Sequence, residues 1–279
     1  MKFNIVRPGG DHAGIFSEVA ELLCFSLQEL GNESIISVGE AKSGFQNIVI
    51  GVFHPEELWS DLPIGSVILN TEPLFARQNK IEWSAKLIEL SSKFSIWDYD
   101  PGNLLALANL GIQNSRLLKF GYQKELERIP QYPDSERPID VLFYGSSNKR
   151  RMDITDQITA RGVHFRTMFG VYGNARDENI ARSKMLINTH FHDNGVFEIV
   201  RVHYLLNNGI AIVPEIGPNT SIEPSYLKCL VGVPYSGLVD RCIFLTENPE
   251  ELLTLRSNAL QEFKKTSQTS YMEELLKTI

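Results

Sequence analysis

The sequence predicts an α/β protein with two domains of parallel strands, and three observations support this prediction. Short apolar runs alternate with longer amphipathic stretches along the chain, as in strands that are joined by crossover helices. A proline-rich stretch over residues 129–138 interrupts this alternation, which then restarts. The length of 279 residues suits two domains of about 140 residues.

The first half contains alternating strand and helix patterns. Residues 3–6 are apolar and predict the first strand, and the helix at about 13–30 carries an apolar stripe that ends at Gly31. Further strands are predicted at 34–38, 47–52 and 66–69, and further helices at about 55–60, 79–92 and 101–110. Parallel strands in one sheet are the arrangement that such spacing favours.

The second half begins with a strand from residue 139 that runs into a turn and a helix with basic first turns. Strands are predicted at 163–169, 184–188, 210–213, 230–233 and 242–245, and helices at about 175–182, 197–207, 249–263 and 271–276. The predicted domains are residues 1–130 and 139–265, with a linker at 131–138. Residues 266–279 are predicted to form a helix that returns to the first domain.

Composition excludes several classes of protein. The fractions of 43% hydrophobic and 22% charged residues are those of a globular protein, not of collagen, a coiled-coil rod or a disordered chain. The net charge of −7 disfavours a nucleic-acid-binding surface but leaves room for a local basic pocket. The separated residues Cys24, Cys229 and Cys242 predict buried thiols, without a disulfide or a zinc site. Short apolar runs predict neither a signal peptide nor a membrane span, and we expect a cytoplasmic protein.

Ligands of open α/β sheets bind beyond the carboxyl ends of the strands, so the loops that follow strands are the candidate sites. The turn that follows the strand from residue 139 places Gly145 and Ser146 before Arg150 and Arg151. Backbone N–H groups, a helix N-terminus and guanidinium groups at such a turn suit a phosphate. The alternative is a simple helix cap with solvated cations. Neither GxxxxGK[ST] nor GxGxxG is present.

The second candidate is the pair Glu198 and Arg201, which follows an Asn-Gly turn. The two residues are three apart and therefore lie on one helix face. The carboxylate suits ribose hydroxyls and the arginine suits a diphosphate, whereas the alternative is an exposed ion pair of little energetic weight. His190 and His192 alternate along a strand end and would face opposite ways, so they do not predict a metal site.

The loop after the first strand is the third candidate. Gly10 permits close backbone approach to a ligand, and Asp11 or His12 could act as an acid or base. Asp11 could equally cap the following helix. Glu72 and Asp98 follow strands on the same side, where they could line a common cleft or cap helices.

The order of these motifs resembles glycosyltransferases of the GT-B type, and is most similar to the group-1-like bacterial family. The resemblance rests on the glycine loop, the linker, the basic turn, and the segment from Phe197 to Glu215, in which a helix bearing Glu198 and Arg201 precedes an apolar strand. It implies two Rossmann-like domains that face each other across a cleft. The second glutamate of the family is expected near Tyr204 and Leu205, where no acidic residue stands.

The resemblance also implies roles for the candidate residues. Glu198 would meet ribose or sugar hydroxyls, and Arg201 with Arg150 or Arg151 would neutralise the diphosphate of the donor. The donor side would further include Gly10, Gly145, Ser146, Phe169, Gly170, Tyr172 and His190, with the base at residues 169–172. Asp11, His12 and Glu198 are the candidate catalytic residues, and Glu72 and Asp98 lie on the acceptor side. No metal or other cofactor is expected.

We therefore expect a glycosyltransferase that moves a sugar from a nucleotide-diphosphate donor to a saccharide or lipid-linked acceptor, as in polysaccharide biosynthesis. Nucleic acid is not an expected partner, whereas peripheral membrane contact is compatible with a lipid-linked acceptor. Two alternatives stay open. One is a protein that binds a sugar nucleotide without catalysis, and the other is a nucleotide-sugar epimerase with a carboxylate dyad.

Overall fold

A computed structural model describes residues 1–10, 14–52, 54–74, 81–192 and 195–278, without the side chains of residues 81–83. The chain divides into two compact units. Unit 1 comprises Met1–Leu126, Ser221–Glu223 and Thr266–Ile279, and unit 2 comprises Glu127–Thr220 and Pro224–Lys265. Each unit contains one sheet of parallel strands with helices between them.

The sheet of unit 1 has the strand order β2-β1-β3-β4-β5-β6, and every neighbouring pair is parallel. Its strands are β1 (Lys2–Arg7), β2 (Glu33–Val38), β3 (Gln46–Ile50), β4 (Val67–Asn70), β5 (Ser95–Asp98) and β6 (Ser115–Leu117). The helices are α1 (Ser17–Glu29), α2 (Glu56–Asp61), α3 (Ile81–Ser91) and α4 (Pro101–Asn109). The predicted strands at 3–6, 34–38, 47–52 and 66–69 are confirmed to within a few residues. The edge strand β6 was not predicted, because Ser-Arg-Leu carries no apolar run.

The sheet of unit 2 has the order β10-β9-β7-β8 and is also parallel throughout. Its strands are β7 (Ile139–Tyr144), β8 (Phe165–Met168), β9 (Ser183–Asn188) and β10 (Ile212–Pro214). The helices are α5 (Lys149–Ala160), α6 (Gly173–Ala181), α7 (Ile199–Asn207), α8 (Leu238–Glu247) and α9 (Pro249–Phe263). Buried apolar side chains from β7, β9 and β10 pack against α5, α8 and α9 to form the core. This arrangement brings the carboxyl ends of β7, β9 and β10 to one edge.

Two predicted strands in unit 2 are wrong. Residues 242–245 lie within α8, where Leu238, Val239, Cys242 and Leu245 are buried. Their spacing is the period of a helix, which a four-residue window could not distinguish from a buried strand. Residues 230–233 form no strand, and only Val233 pairs, through an isolated bridge.

The C-terminal helix, α10 (Gln268–Leu276), belongs to unit 1 and packs beside α1. The backbone N–H of Gly121 donates to Oε1 of Gln268 over 2.6 Å, and the N–H of Gln268 donates to the carbonyl oxygen of Tyr122 over 2.8 Å. A Cβ on Gly121 would lie 2.8 Å from backbone atoms of residues 266–268. The absence of a side chain at Gly121 therefore lets the two backbone segments meet.

Two further predictions concern cysteines and membrane spans. Cys24, Cys229 and Cys242 are free and buried, as predicted. No helix within the described ranges combines the length and the apolarity that crossing a bilayer requires.

Candidate functional site

The candidate site lies in unit 2 at the carboxyl ends of β7, β9 and β10. Gly145 follows β7 with φ of +137°, a conformation that favours glycine, and its N–H donates to the carbonyl oxygen of Met168. Asn148 caps α5, because its Oδ1 accepts the N–H of Arg151 over 2.9 Å. The amide of Asn148 also donates to the carbonyl oxygen of Phe191 over 2.7 Å. The small-residue turn is thus fixed to the loop between β9 and α7.

Glu198 stands immediately before α7 and binds two arginines. Its Oε2 accepts a hydrogen bond from Nη1 of Arg201 over 2.5 Å, and its Oε1 accepts one from Nη2 of Arg151 over 2.6 Å. The side chain of Glu198 is 20% exposed. This is a shared carboxylate in a largely enclosed position, and not the exposed surface pair that was the alternative interpretation of the sequence.

Electrostatics keep Glu198 ionised. Burial by itself raises the pKa of Glu198, but the positive charges of Arg201 and Arg151, assisted by His190, outweigh burial and hold that pKa below its usual range. At neutral pH the site therefore presents a fixed anion next to guanidinium groups.

Arg201 retains hydrogen-bond donors for a ligand. Its Nη1 donates to Glu198 and, over 3.1 Å, to Oδ1 of Asn188. Its Nε and Nη2 make no hydrogen bond to any residue in the described part of the chain. A Cβ on Gly145 would lie 2.7 Å from Nη2 of Arg201, so this glycine makes room for the guanidinium group. Arg201 and Gly145 together form a cationic position at the end of β7.

Arg150 lies beside this position and pairs with Glu215, which follows β10. Nη1 and Nη2 of Arg150 donate to the two carboxylate oxygens of Glu215, and Nη1 also donates to the carbonyl oxygen of His190 over 3.1 Å. The guanidinium stacks on Tyr235, with 3.9 Å from its carbon to the ring centre. The charge of Arg150 is therefore already paired within the protein. Its contact with a diphosphate stays a prediction.

Arg151 is more deeply enclosed, with a side chain that is 4% exposed. It donates to the carbonyl oxygens of Thr189 and Ser146 as well as to Glu198. Burial lowers the pKa of Arg151 to about 10, although Glu198 opposes this shift. Adjacent arginines on one helix thus bind different carboxylates.

His190 follows β9 and is 3% exposed. Its backbone N–H donates to Oε2 of Glu215 over 3.0 Å, and its Nε2 lies 3.4 Å from Oγ1 of Thr220. The ring Nδ1 is buried and has no hydrogen-bond partner among the described residues. Burial lowers the pKa of His190, so the ring is neutral near pH 7.

The loop after β8 presents aromatic surface. Phe169 is 72% exposed and Tyr172 is 36% exposed. Gly170 between them has φ of +69°. Exposed aromatic faces at the end of a strand suit stacking against a nucleobase.

Unit 1 contains the remaining predicted residues. Asp11 and His12 lie outside the described residues, and Gly10 has φ of +63°. Asp98 is fully buried, and its carboxylate accepts from the amides of Asn70 and Asn103 over 2.7 and 3.0 Å. Burial raises the pKa of Asp98 to about 7, against these hydrogen bonds. This position favours a role in holding the strand ends together over contact with an acceptor.

The remaining questions are where Glu72 lies and whether any residues are grouped to bind a metal ion. The backbone of Glu72 accepts from the amide of Asn70 over 2.7 Å and donates to Oδ1 of Asn70 over 3.2 Å. Among the residues that the structure describes, no three His, Cys, Asp or Glu side chains are grouped so as to hold a metal ion.

Asn188 and Tyr235 belong to the candidate site but were not predicted from the sequence. Asn188 ends the apolar strand β9 with an amide that bonds Arg201, and the polar residue at the end of a buried strand was a usable signal. Tyr235 stacks on Arg150 from a distant segment, and no local pattern signals such a contact.

No protein-family model matches the chain. Three uncharacterized proteins of Acanthamoeba polyphaga mimivirus are similar in sequence, with 28% identity over 215 residues, 32% over 156 residues and 29% over 161 residues. These matches cover 74%, 53% and 55% of this chain but only 26%, 16% and 51% of the relatives. The chain therefore spans about half or less of the length of the curated relatives that it matches.

Solved structures show the fold. An alpha-glucosyltransferase in complex with UDP and DNA containing an HMU base has a TM-score of 0.66 at 9% identity, over 100% of this chain and 99% of that chain. WaaG, a glycosyltransferase involved in lipopolysaccharide biosynthesis, has a TM-score of 0.62 at 9% identity, over 98% of both chains. TarM of S. aureus has 0.57 at 12% identity, over 83% of this chain and 55% of that chain. The chain has the GT-B glycosyltransferase fold with two Rossmann-like domains, as the sequence predicted.

Proposed function

We propose that this chain is a glycosyltransferase that takes a sugar from a nucleotide-diphosphate donor bound at the candidate site of unit 2. The observation that carries the proposal is Arg201, whose Nε and Nη2 have no partner among the described residues while its Nη1 is fixed by Glu198 and Asn188. A guanidinium with unused hydrogen-bond donors suits a phosphate. The fold supports the proposal, because UDP was present with several structural neighbours.

Charge at the leaving group determines the proposed chemistry. When the bond between the sugar and the diphosphate breaks, negative charge develops on the diphosphate. Arg201 and the N-terminus of α7 are the proposed groups that stabilise this charge, because the helix dipole is positive at that end. The proposal includes no metal ion, and donor binding is therefore expected to be unchanged in excess EDTA.

Glu198 is the proposed acceptor for hydroxyl groups of the ribose or the sugar. A carboxylate has about four lone-pair directions, and the two arginines of this site occupy only part of that capacity. Phe169 and Tyr172 are the proposed stacking surface for the base, given their exposure. Unit 1 is the proposed acceptor side, where Gly10, Asp11 and His12 follow β1.

Charge supports the proposed acceptor class. The structural neighbours include one enzyme solved with DNA and one that takes part in lipopolysaccharide biosynthesis. The net charge of −7 disfavours binding of a polyanion. A saccharide or a lipid-linked glycan is therefore the proposed acceptor class.

Titration calorimetry with UDP and UDP-glucose tests the donor site, and the release of UDP with and without candidate acceptors tests transfer. Arg201→Met is expected to weaken UDP binding by about tenfold or more, since a hydrogen bond to a charged group is lost. Glu198→Gln is expected to weaken UDP-glucose more than UDP. The matched control is Arg182→Met, because Arg182 forms an exposed pair with Glu178 on α6. If Arg201→Met and Arg182→Met bind UDP equally well, the donor site is elsewhere.

Binding without catalysis is the second candidate function. The residue near the expected second glutamate is Tyr204, which is 1% exposed and donates to Oδ2 of Asp177 over 2.7 Å. The hydroxyl of Tyr204 is thus committed to the protein interior and replaces no carboxylate. UDP-glucose binding without release of UDP to any acceptor would favour this candidate.

A further inference from the structure

We propose that Arg151 is a positioning residue that fixes the orientation of Glu198 and joins the two loops of the donor site, and that it does not bind the diphosphate. The inference rests on the proposed donor function, and it assigns different roles to the three arginines of the site. Arg201 faces the ligand, Arg150 pairs with Glu215, and Arg151 organises the protein beneath them.

The hydrogen bonds of Arg151 define this role. Its Nη1 donates to the carbonyl oxygen of Ser146 over 2.8 Å, in the turn between β7 and α5. Its Nε and Nη2 donate to the carbonyl oxygen of Thr189 over 2.9 and 2.6 Å, in the loop between β9 and α7. Nη2 also binds Glu198. Each of the three nitrogens therefore has a protein partner, and these partners lie in both loops.

Two aromatic rings lie near the guanidinium of Arg151, as two rings also do near that of Arg201. The guanidinium carbon of Arg151 lies 5.0 Å from the ring centre of Phe143 and 5.2 Å from that of Phe191. The side chain is 4% exposed, compared with 19% for Arg201. A phosphate could reach Arg151 only by displacing carbonyl oxygens or the carboxylate of Glu198. The open donors of Arg201 require no such displacement.

The charges that face Glu198 are those of Arg201 and Arg151, with His190 as the third titratable group near it. Arg150 and Glu215 pair with each other beside His190. If Arg151 fixes Glu198, the removal of its charge weakens the attraction that keeps the carboxylate ionised. The protonation of Glu198 therefore reports on Arg151 directly, without any nucleotide.

The first test is an NMR titration of the ligand-free protein with ¹³C-labelled glutamate side chains, in which Glu198→Gln identifies the signal of Glu198. In Arg151→Met, the titration midpoint of Glu198 is expected to move to higher pH, and in Arg151→Lys it stays near that of the wild type because the charge is kept. Arg182→Met, on an exposed pair, is the matched control. An unchanged midpoint in Arg151→Met overturns the proposal. Arg151→Gln, which removes the charge but keeps hydrogen-bonding capacity, replaces Arg151→Met if that variant does not fold.

The second test compares the affinities for UDP and uridine by calorimetry. In Arg151→Met the ratio of the two affinities is expected to match the wild type, because no phosphate contact is lost. In Arg201→Met the ratio falls by about tenfold or more. A fall in Arg151→Met that equals the fall in Arg201→Met overturns the proposal. A wild-type protein that binds no nucleoside diphosphate contradicts the proposed function, whereas the NMR titration still decides the role of Arg151.

Discussion

Gly145→Ala offers the sharpest test of the donor site. The new Cβ would lie 2.7 Å from Nη2 of Arg201, which is closer than such atoms approach, and 3.3 Å from the guanidinium carbon, which is a tight contact. The guanidinium must shift, and we expect this shift to weaken its hydrogen bonds to Glu198 and Asn188. Alanine at a φ of +137° also strains the backbone by about 1–3 kcal/mol.

Gly162→Ala separates the two effects. Gly162 lies in the same unit with φ of +81°, and a Cβ there meets no atom within 4 Å. Both variants therefore carry backbone strain, and a lower Tm in thermal unfolding measures it in each. Only Gly145→Ala displaces Arg201, and we expect UDP affinity by calorimetry to fall by about 10- to 100-fold, from about 1.5–3 kcal/mol for a charged hydrogen bond. Equal UDP affinities in the two variants would refute the assignment of Arg201 to the diphosphate.

Three further predictions concern unit 1 and the cationic site. Burial raises the pKa of Asp98 to about 7, so the folded protein keeps a proton that the unfolded chain releases. The free energy of unfolding should thus fall by up to about 4 kcal/mol as pH rises from about 4 to 7. Urea titrations at several pH values should show a smaller dependence of this free energy on pH in Asp98→Asn than in the wild type. An identical dependence on pH in the two proteins would contradict the raised pKa. Gly121→Ala should lower Tm and speed proteolytic release of the C-terminal helix, because its Cβ overlaps backbone at residues 266–268; unchanged proteolysis would place the helix elsewhere. Addition of 0.5 M salt should weaken UDP binding more in wild type than in Arg201→Met, as calorimetry would show; equal salt dependence would argue against a charge contact.

Local sequence patterns predicted those elements whose buried face is determined by residues close together in the chain. The apolar stripe of α1 and the apolar runs of β1 and β3 determine which faces are buried, so these elements were predictable. The spacing of Glu198 and Arg201 likewise predicted their contact, since residues three apart on a helix lie on one face. The prediction of a strand at 242–245 was wrong because a short apolar run fits a strand and a helix equally well.

The different partners of the three arginines could not be predicted from the sequence. Arg150 and Arg151 are neighbours in the chain, and both were candidates for the diphosphate. Their carboxylate partners, Glu215 and Glu198, stand 65 and 47 residues away and reach them only through the order of the strands in the sheet. The arginines also differ in burial, because a larger fraction of the side chain is exposed in Arg201 than in Arg151.

The pairing of Glu198 and Glu215 with three arginines also bears on turnover. Three guanidinium groups and two carboxylates leave one surplus positive charge at the edge of the second sheet. A nucleoside diphosphate product carries more negative charge than the intact sugar nucleotide, and a strongly cationic site would retain it. If the chain transfers sugars as proposed, partial neutralisation by the protein's own carboxylates would let the spent nucleotide dissociate and would clear the site for the next donor.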